Sequence, residues 1–137
     1  MTSVEDRHAA SIQRYLADQV RTASPGQRLL MLFDQLRRDL HCAERAFGDG
    51  DLKEISDYLV HAQAVLCALR DPLDLGTDLG RALSGVYGFC LSSLVDANLR
   101  KDPSPLCDVQ GIIDRLTEAN RAALASLTHA PGTARAV

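Results

Sequence analysis

The feature that most constrains this chain is a helix start at Ser24 and Pro25, which leads directly into the densest apolar run. Ser24 has the side-chain oxygen that an N-cap needs, and Pro25 stands at the first helical position, where a missing N–H costs nothing. Gln27 follows Ser24 at the spacing of a capping box. Because the next apolar residues recur at three- and four-residue steps, the sequence predicts a long amphipathic helix from Pro25 to about Phe47.

The rest of the chain repeats this helical periodicity between short runs of turn residues. Its apolar residues are mainly Leu and Ala and do not alternate, so no strand is predicted. Short connections make consecutive helices antiparallel neighbours. The sequence therefore predicts an all-α fold, an antiparallel four-helix bundle with an additional short N-terminal helix. The bundle helices are expected at Pro25 to about Phe47, about Leu52 to Arg70, about Leu79 to Arg100 with Thr77 or Asp78 as its cap, and Pro105 to about Leu127 with Ser104 as its cap.

The predicted domain organisation is simple. Residues 1–8 are expected to form a mobile polar arm, residues 9–127 the helical bundle domain, and residues 128–137 a flexible tail. The short N-terminal helix has a narrow apolar face that includes Ile12 and Tyr15. Because such a helix is marginal alone, we expect it to hold only by docking on the bundle.

Charge and hydropathy exclude several classes of function. The 137 residues have a formal net charge of -3, and the arginines are interspersed with acidic residues, so nucleic acid is not an expected partner. No window approaches the roughly 18 to 20 continuous apolar residues of a membrane span, which argues against membrane insertion. The first residues lack the apolar core of a secretory signal, so a cytoplasmic location is expected.

Two features of the apolar residues lead to specific expectations. The segment from Val86 to Leu91 is apolar on every side, so its helix is predicted to be central and buried, with a neighbouring helix close to Gly88. The cysteines show no C-x-x-C pair, so we expect four reduced thiols that act as small buried hydrophobic residues. They are Cys42, Cys67, Cys90 and Cys107.

The sequence contains no recognisable catalytic or metal-binding pattern. A di-iron bundle needs Glu-x-x-His motifs, whereas the nearest pattern here is the reversed His41-x-x-Glu44. The chain also has no G-x-S-x-G elbow and no Gly-rich phosphate loop. We therefore predict a protein that is not an enzyme, with no cofactor and no metal.

The order of residues around the first long helix resembles the flagellar secretion chaperone family. The match covers roughly residues 12 to 125. The chain departs from the family pattern at Phe33 to Leu36, at His61, and at Asn120, where the family commonly has tryptophan. The resemblance rests on Tyr15, Val20, Thr22-Ala23-Ser24-Pro25, Leu29, Met31, Leu32, Phe33 and Asp34, and downstream on Ala43, Ala46, His61-Ala62, Val65, Leu69, Leu83, Val86-Tyr87, Phe89, Leu94, Ala97-Asn98, Asp102 and Val109.

The resemblance implies a cytosolic export chaperone that binds the C-terminal segment of flagellin, prevents premature polymerisation and delivers it to the flagellar type III export apparatus. It also implies contact with the export gate, and that the segment around Tyr15 lies over part of the groove in the free protein. Apolar residues outside the main helical stripes are the expected groove lining: Leu30, Met31, Tyr58 and Val65.

Two questions stay open at this point. The chain could be a monomer or a weak homodimer. The alternative function is a helical regulatory or scaffold domain that binds another flagellar export component or an anti-sigma partner through the same surface.

Overall fold

The computed structural model describes residues 24–129, and within them the side chains of residues 24–127. This part of the chain is all-α, as predicted, with four helices: α1 (Pro25–Asp49), α2 (Leu52–Arg70), α3 (Asp78–Arg100) and α4 (Ser104–His129). Helix α4 continues into the segment expected to be a tail. The predicted arm, the short N-terminal helix and the rest of the tail lie outside the described residues.

Local side-chain caps determine where the first three helices begin. The Ser24 hydroxyl accepts from the Gln27 N–H at 3.2 Å, and the Gln27 side chain accepts from the Ser24 N–H at 3.1 Å, which confirms the capping box. Asp51 caps α2. Of the two residues proposed to cap α3, Thr77 is the cap, because its Oγ1 accepts from the Gly80 N–H at 2.9 Å.

The start of α4 differs from the prediction. Ser104 was expected to be the cap, but it is the first residue of the helix. The carboxylate of Asp102 accepts from the Ser104 backbone N–H at 2.9 Å, and this bond lowers the pKa of Asp102 below its usual value. The reason is that an aspartate two residues upstream reaches the free N–H groups of the first turn.

A left-handed glycine makes the link between α1 and α2 very short. Gly50 has φ 68°, a conformation that glycine adopts without steric cost, and its N–H donates back to carbonyls of the last turn of α1. Asp51 then caps α2 directly. The two helices are consequently antiparallel neighbours, as the sequence predicted.

Each helix packs against two neighbours, in the cyclic order α1, α2, α3, α4, and diagonal helices make no close contact in the described chain. The α1–α2 pair packs most extensively and the α3–α4 pair least. Burying these apolar side chains stabilises the fold by roughly 1.5–3 kcal/mol each. The largest fully buried apolar side chains are Phe33, Leu36, Leu40, Ile55, Leu59, Leu66, Cys90, Leu94, Val109 and Ile113.

One close approach joins the first turn of α1 to the last turns of α4. A Cβ atom at Gly26 would lie 2.5 Å from Leu124 Cδ2, so the glycine lets the two helices come together here. Asn120 donates from Nδ2 to the Gly26 carbonyl at 3.1 Å, which adds a polar link between the two helices.

Helix α3 is not central, which corrects the prediction made from Val86 to Leu91. It packs only on α2 and α4, and Phe89 is 53% exposed. In a ring of four helices every helix has one face without a neighbour, so a segment that is apolar all round must leave apolar side chains in solvent. The exposed large apolar residues of α3 are Leu79, Phe89, Val95 and Leu99.

Gly88 is closely approached, as expected, but by a side chain. A Cβ atom there would lie 3.3 Å from Nη2 of Arg70, the last residue of α2. The same guanidinium donates through Nε to Ser84 Oγ at 3.0 Å. Glycine at this position therefore leaves room for the arginine that joins the end of α2 to α3.

The expectation that all four cysteines are buried is wrong. Cys90 is fully buried, and burial raises the pKa of its thiol to about 11. Cys42 is half-buried, whereas Cys67 and Cys107 are exposed. The reason is that helical periodicity places a residue on a face, but the neighbouring helices decide whether that face is covered.

These environments predict the order in which the thiols react. In the folded protein we expect Cys67 and Cys107 to react first with an aromatic disulfide reagent at neutral pH, and Cys42 more slowly. Cys90 should react only after unfolding, because it is both shielded and protonated. The measurement is absorbance of the released thiolate with and without denaturant, with mass spectrometry to assign the sites. Rapid labelling of Cys90 in native buffer would contradict the packing of α3.

Candidate partner-binding site

Four exposed aliphatic side chains lie in the first half of α2 and the last two turns of α3. The Asn98 side-chain amide lies 3.5 Å from Ser56 Oγ, which brings the two helix edges together at this point. Leu52 and Val60 each lie one helical turn from Ser56, while Val95 and Leu99 lie on either side of Asn98 along the helix. We call this group the α2–α3 patch. Its members are Leu52, Val60, Val95 and Leu99, which are 61%, 54%, 40% and 79% exposed.

Ion pairs border the patch on both helices. On α2, Lys53 Nζ lies 3.0 Å from an Asp57 carboxylate oxygen, and this hydrogen bond raises the pKa of Lys53. On α3, Arg100 Nε lies 2.9 Å from an Asp96 carboxylate oxygen. Solvent-exposed pairs like these contribute little to stability. An apolar centre with a charged rim is the usual anatomy of a protein-binding surface.

The seam between α2 and α3 extends from the patch to the opposite end of α2. At that end, the Arg70 guanidinium donates a hydrogen bond to Ser84 on α3. Residues of the two edges recur at helical three- and four-residue steps between the Ser56–Asn98 and Arg70–Ser84 contacts. None of the intervening edge residues is charged: they are Val60, Gln63 and Cys67 on α2, and Gly88, Leu91 and Val95 on α3.

The residues nominated from the sequence lie elsewhere in the bundle. Tyr15 is outside the described residues. Leu30 and Met31 are half-buried near the start of α1, and they lie on different edges of that helix because adjacent residues point about 100° apart. Tyr58 and Val65 share the edge of α2 that faces α1, on either side of His61. The structure therefore places most of the nominated residues along the α1–α2 edge and none in the patch.

Two of these side chains are engaged within the bundle. Val65 was expected to lie outside the main stripe of its helix, but it is 7% exposed and belongs to the core. Tyr58 is half-buried, and the electrostatic interaction with Cys42 on α1, followed by burial, raises the pKa of the tyrosine. Their contact with a partner stays a prediction.

A polar pair crosses the middle of the α1–α2 edge. The carboxylate of Asp39, buried on α1, lies 2.5 Å from His61 Nδ1 on α2 and accepts a second bond from Gln35 Nε2 at 3.0 Å. A buried carboxylate needs such partners, since an unpaired charge is costly to bury. The pair joins the two helices, which gives His61 a structural role.

One groove of the described chain has charged walls. It has a volume of about 540 Å³ and lies between α1 and α4. Its walls are linked by ion pairs, including Arg37 Nε to Asp114 at 2.9 Å. Such a surface does not match an apolar ligand. Its lining residues are Asp34, Arg37, Arg38, His41, Cys42, Glu44, Gln110 and Asp114.

Sequence reasoning missed the α2–α3 patch although a signal was present. The segment from Val86 to Leu91 is apolar all round, and Val95 and Leu99 follow Leu91 at four-residue steps. In a bundle of four helices that pattern indicates an exposed apolar face as well as a buried one. Val60 had no comparable signal, because one valine outside a stripe is an ordinary surface residue.

A helical bundle with an exposed apolar surface bordered by ion pairs is typical of one class of protein, the small α-helical bundles that bind another polypeptide. Within residues 24–129 no group of three or more His, Cys, Asp or Glu side chains could hold a metal ion. In the same part of the chain no helix is both long and apolar enough to span a bilayer.

The model of the family described as "Flagellar protein FliS" matches residues 8–126. The chain belongs to the FliS family, a family of chaperones and not of enzymes.

Two curated relatives are similar along most of their length. The flagellar secretion chaperone FliS of Bacillus subtilis (strain 168) is 27% identical over 112 residues, which cover 82% of this chain and 84% of the relative. The flagellar secretion chaperone FliS of Salmonella typhimurium (strain LT2) is 31% identical over 103 residues, covering 73% of this chain and 76% of the relative. These matches support a role in flagellar export and confirm the resemblance seen in the sequence.

Proposed function

We propose that this protein is a cytoplasmic export chaperone that binds the C-terminal segment of flagellin, prevents its premature polymerisation and delivers it to the flagellar type III export apparatus. Family membership supports the general role. The observation that supports binding of the flagellin C-terminal segment is the α2–α3 patch. There the side chains of four apolar residues are exposed to solvent: Leu52, Val60, Val95 and Leu99. A chaperone needs apolar surface beyond what its own core uses.

The geometry of the seam suits an amphipathic helix of the cargo. The cargo helix would place residues at i, i+3, i+4 and i+7 on Val60, Leu91 and Val95, with its polar face outward. The rim pairs of Lys53 with Asp57 and of Arg100 with Asp96 would flank it. Because a disordered segment must order as it binds, affinity per unit of buried area is lowered, which suits a cargo that must later be released.

The residues nominated from the sequence enter the proposal as a secondary surface. Met31 and Tyr58 are half-buried along the α1–α2 edge, so a wrapping cargo can reach them. Leu30 faces another edge of α1, Val65 becomes accessible only if the α1–α2 edge opens, and Tyr15 is proposed to cover the groove in the free protein. Contact with the export gate is proposed for the loaded complex.

The test is calorimetric titration of this protein with the C-terminal segment of flagellin from the same organism. We expect one-to-one binding with a negative heat-capacity change and a gain in helicity by circular dichroism, because apolar surface is buried while the cargo folds. An equally long segment of the same composition in scrambled order is the control. No heat at several temperatures, with a folded bundle, would refute the cargo assignment and favour the regulatory or scaffold alternative.

A further inference from the structure

One end of the seam between α2 and α3 holds a guanidinium without a carboxylate partner. Arg70 is exposed and donates through Nε to Ser84 Oγ at 3.0 Å. Among residues 24–127 its Nη1 and Nη2 groups have no hydrogen-bond or ion-pair partner. The arginines of α3 differ in this respect, because Arg81 and Arg100 are each paired with an aspartate. Arg70 is therefore a cation that remains available to a negatively charged group.

The glycine on α3 shows which way this guanidinium points. A Cβ atom at Gly88 would lie 3.3, 3.5 and 3.6 Å from Nη2, Cζ and Nη1 of Arg70, so the plane of the group faces the glycine. Ser84, which holds Nε, lies one turn before Gly88 on the side away from the patch. The guanidinium therefore extends along α3 towards the patch, and its Nη1 and Nη2 edge opens into the seam.

We propose that this edge of Arg70 binds the α-carboxylate at the C-terminal end of the flagellin segment. The inference rests on the proposed function and names the group of the cargo that is recognised at this end of the seam. Two parallel N–H donors of a guanidinium match the two oxygens of a carboxylate. Because the bond from Arg70 to Ser84 crosses the seam, a cargo helix that lies in the seam meets the arginine at its end.

The charges also determine the direction of the cargo helix. The C-terminal end of a helix carries partial negative charge on its free carbonyl groups, and the α-carboxylate adds a full charge. Both are stabilised at Arg70, whereas the charges that border the patch are already paired. From Gly88 to Asn98 the seam spans ten residues of α3, about 15 Å, so roughly the last ten residues of flagellin fill it.

Arg70 is held in position before the cargo arrives. An exposed ion pair contributes little when both side chains must lose conformational entropy to form it. The hydrogen bond to Ser84 and the contact with Gly88 already restrict the arginine in the free protein. Less entropy is then lost on binding, so the carboxylate contributes more to affinity than at an unrestrained surface arginine.

The experiment is calorimetric titration of the full chain with two forms of the C-terminal flagellin segment, one ending in a free carboxylate and one amidated. We expect the free acid to bind about tenfold more tightly, because the amide removes the charge-assisted hydrogen bonds. Arg70→Gln should bind both forms equally, with the affinity of the wild-type chain for the amide. Arg81→Gln removes the same charge one turn beyond Ser84 and is the matched control, which should keep the preference.

Cys67 provides a separate measurement of the direction. It is exposed on α2, one turn before Arg70 and on the edge of the seam. A flagellin segment with an aromatic disulfide on a cysteine near its last residue should form a mixed disulfide with Cys67, with release of the aromatic thiolate. The same group at the first residue should react no faster with Cys67 than with Cys107, which is exposed on α4 and gives the background rate.

The outcomes distinguish this inference from the proposed function. If the wild-type chain binds neither form of the segment, the proposed function is wrong and this inference fails with it. If it binds both forms equally, only the carboxylate assignment is overturned. An Arg70→Gln variant that binds more weakly but still prefers the free acid would also overturn it, since Arg70 would then contact another part of the cargo. Faster reaction of Cys67 with the label at the first residue would contradict the direction.

Discussion

Replacing Leu94 with alanine should lower the free energy of unfolding by about 2–5 kcal/mol. Leu94 is 0% exposed and lies on the inner face of α3, in the core that joins all four helices. The substitution removes apolar contacts and leaves a cavity that the surrounding helices fill only in part. Denaturant unfolding followed by circular dichroism measures the change.

Leu99→Ala is the matched control on the same helix. Its side chain is 79% exposed, so the change in unfolding free energy should stay within about 0.5 kcal/mol. A large loss of stability in Leu99→Ala, or a small one in Leu94→Ala, would mean that α3 is rotated from the orientation described. The comparison therefore tests the correction that α3 has an exposed apolar side.

Replacing Val60 and Val95 together with aspartate should weaken binding of the flagellin segment about 10- to 100-fold, or about 1.4–2.8 kcal/mol. Both side chains are exposed in the free protein, so stability should change little. In the complex, however, each aspartate would place a charge against the apolar face of the cargo. Isothermal titration calorimetry of the flagellin segment into the variant and into the wild-type chain measures the loss of affinity.

The charge-matched control for this variant lies on α4. Ala122→Asp combined with Ser126→Asp adds the same charge at exposed positions away from the patch, and cargo affinity should be nearly unchanged. If instead the α4 variant weakens binding equally, a general charge effect is responsible. Should only Met31 or Tyr58 substitutions weaken binding, the cargo occupies the α1–α2 edge and the patch assignment is wrong.

The helix boundaries could be predicted closely because their causes are local. The Ser24 capping box and the turn at Gly50 act between residues a few positions apart, so their geometry follows from sequence alone. The limits of α2, Leu52–Arg70, match the prediction. The start of α4 was misplaced because Asp102 and Ser104 compete as caps within the same few residues.

The candidate site could not be predicted in the same way. Periodicity placed Val65 outside the main stripe of its helix, yet Val65 became core while Val60, five residues earlier, stayed in solvent. The difference depends on how α2 is rotated about its axis, because one side of the helix faces α1 and another faces solvent beside α3. Hydrophobic spacing within one helix does not contain this information. Sequence similarity identified the family but left the surface unassigned.

The sequence by itself determined the all-α class, three of the four described helix starts and the antiparallel order, since caps, turns and apolar periodicity operate within a few residues. Only the tertiary structure decided that α3 is peripheral, that Cys67 and Phe89 are exposed, and that Leu52, Val60, Val95 and Leu99 form one patch. These facts depend on the rotation of each helix about its axis, which is set by packing against both neighbours at once.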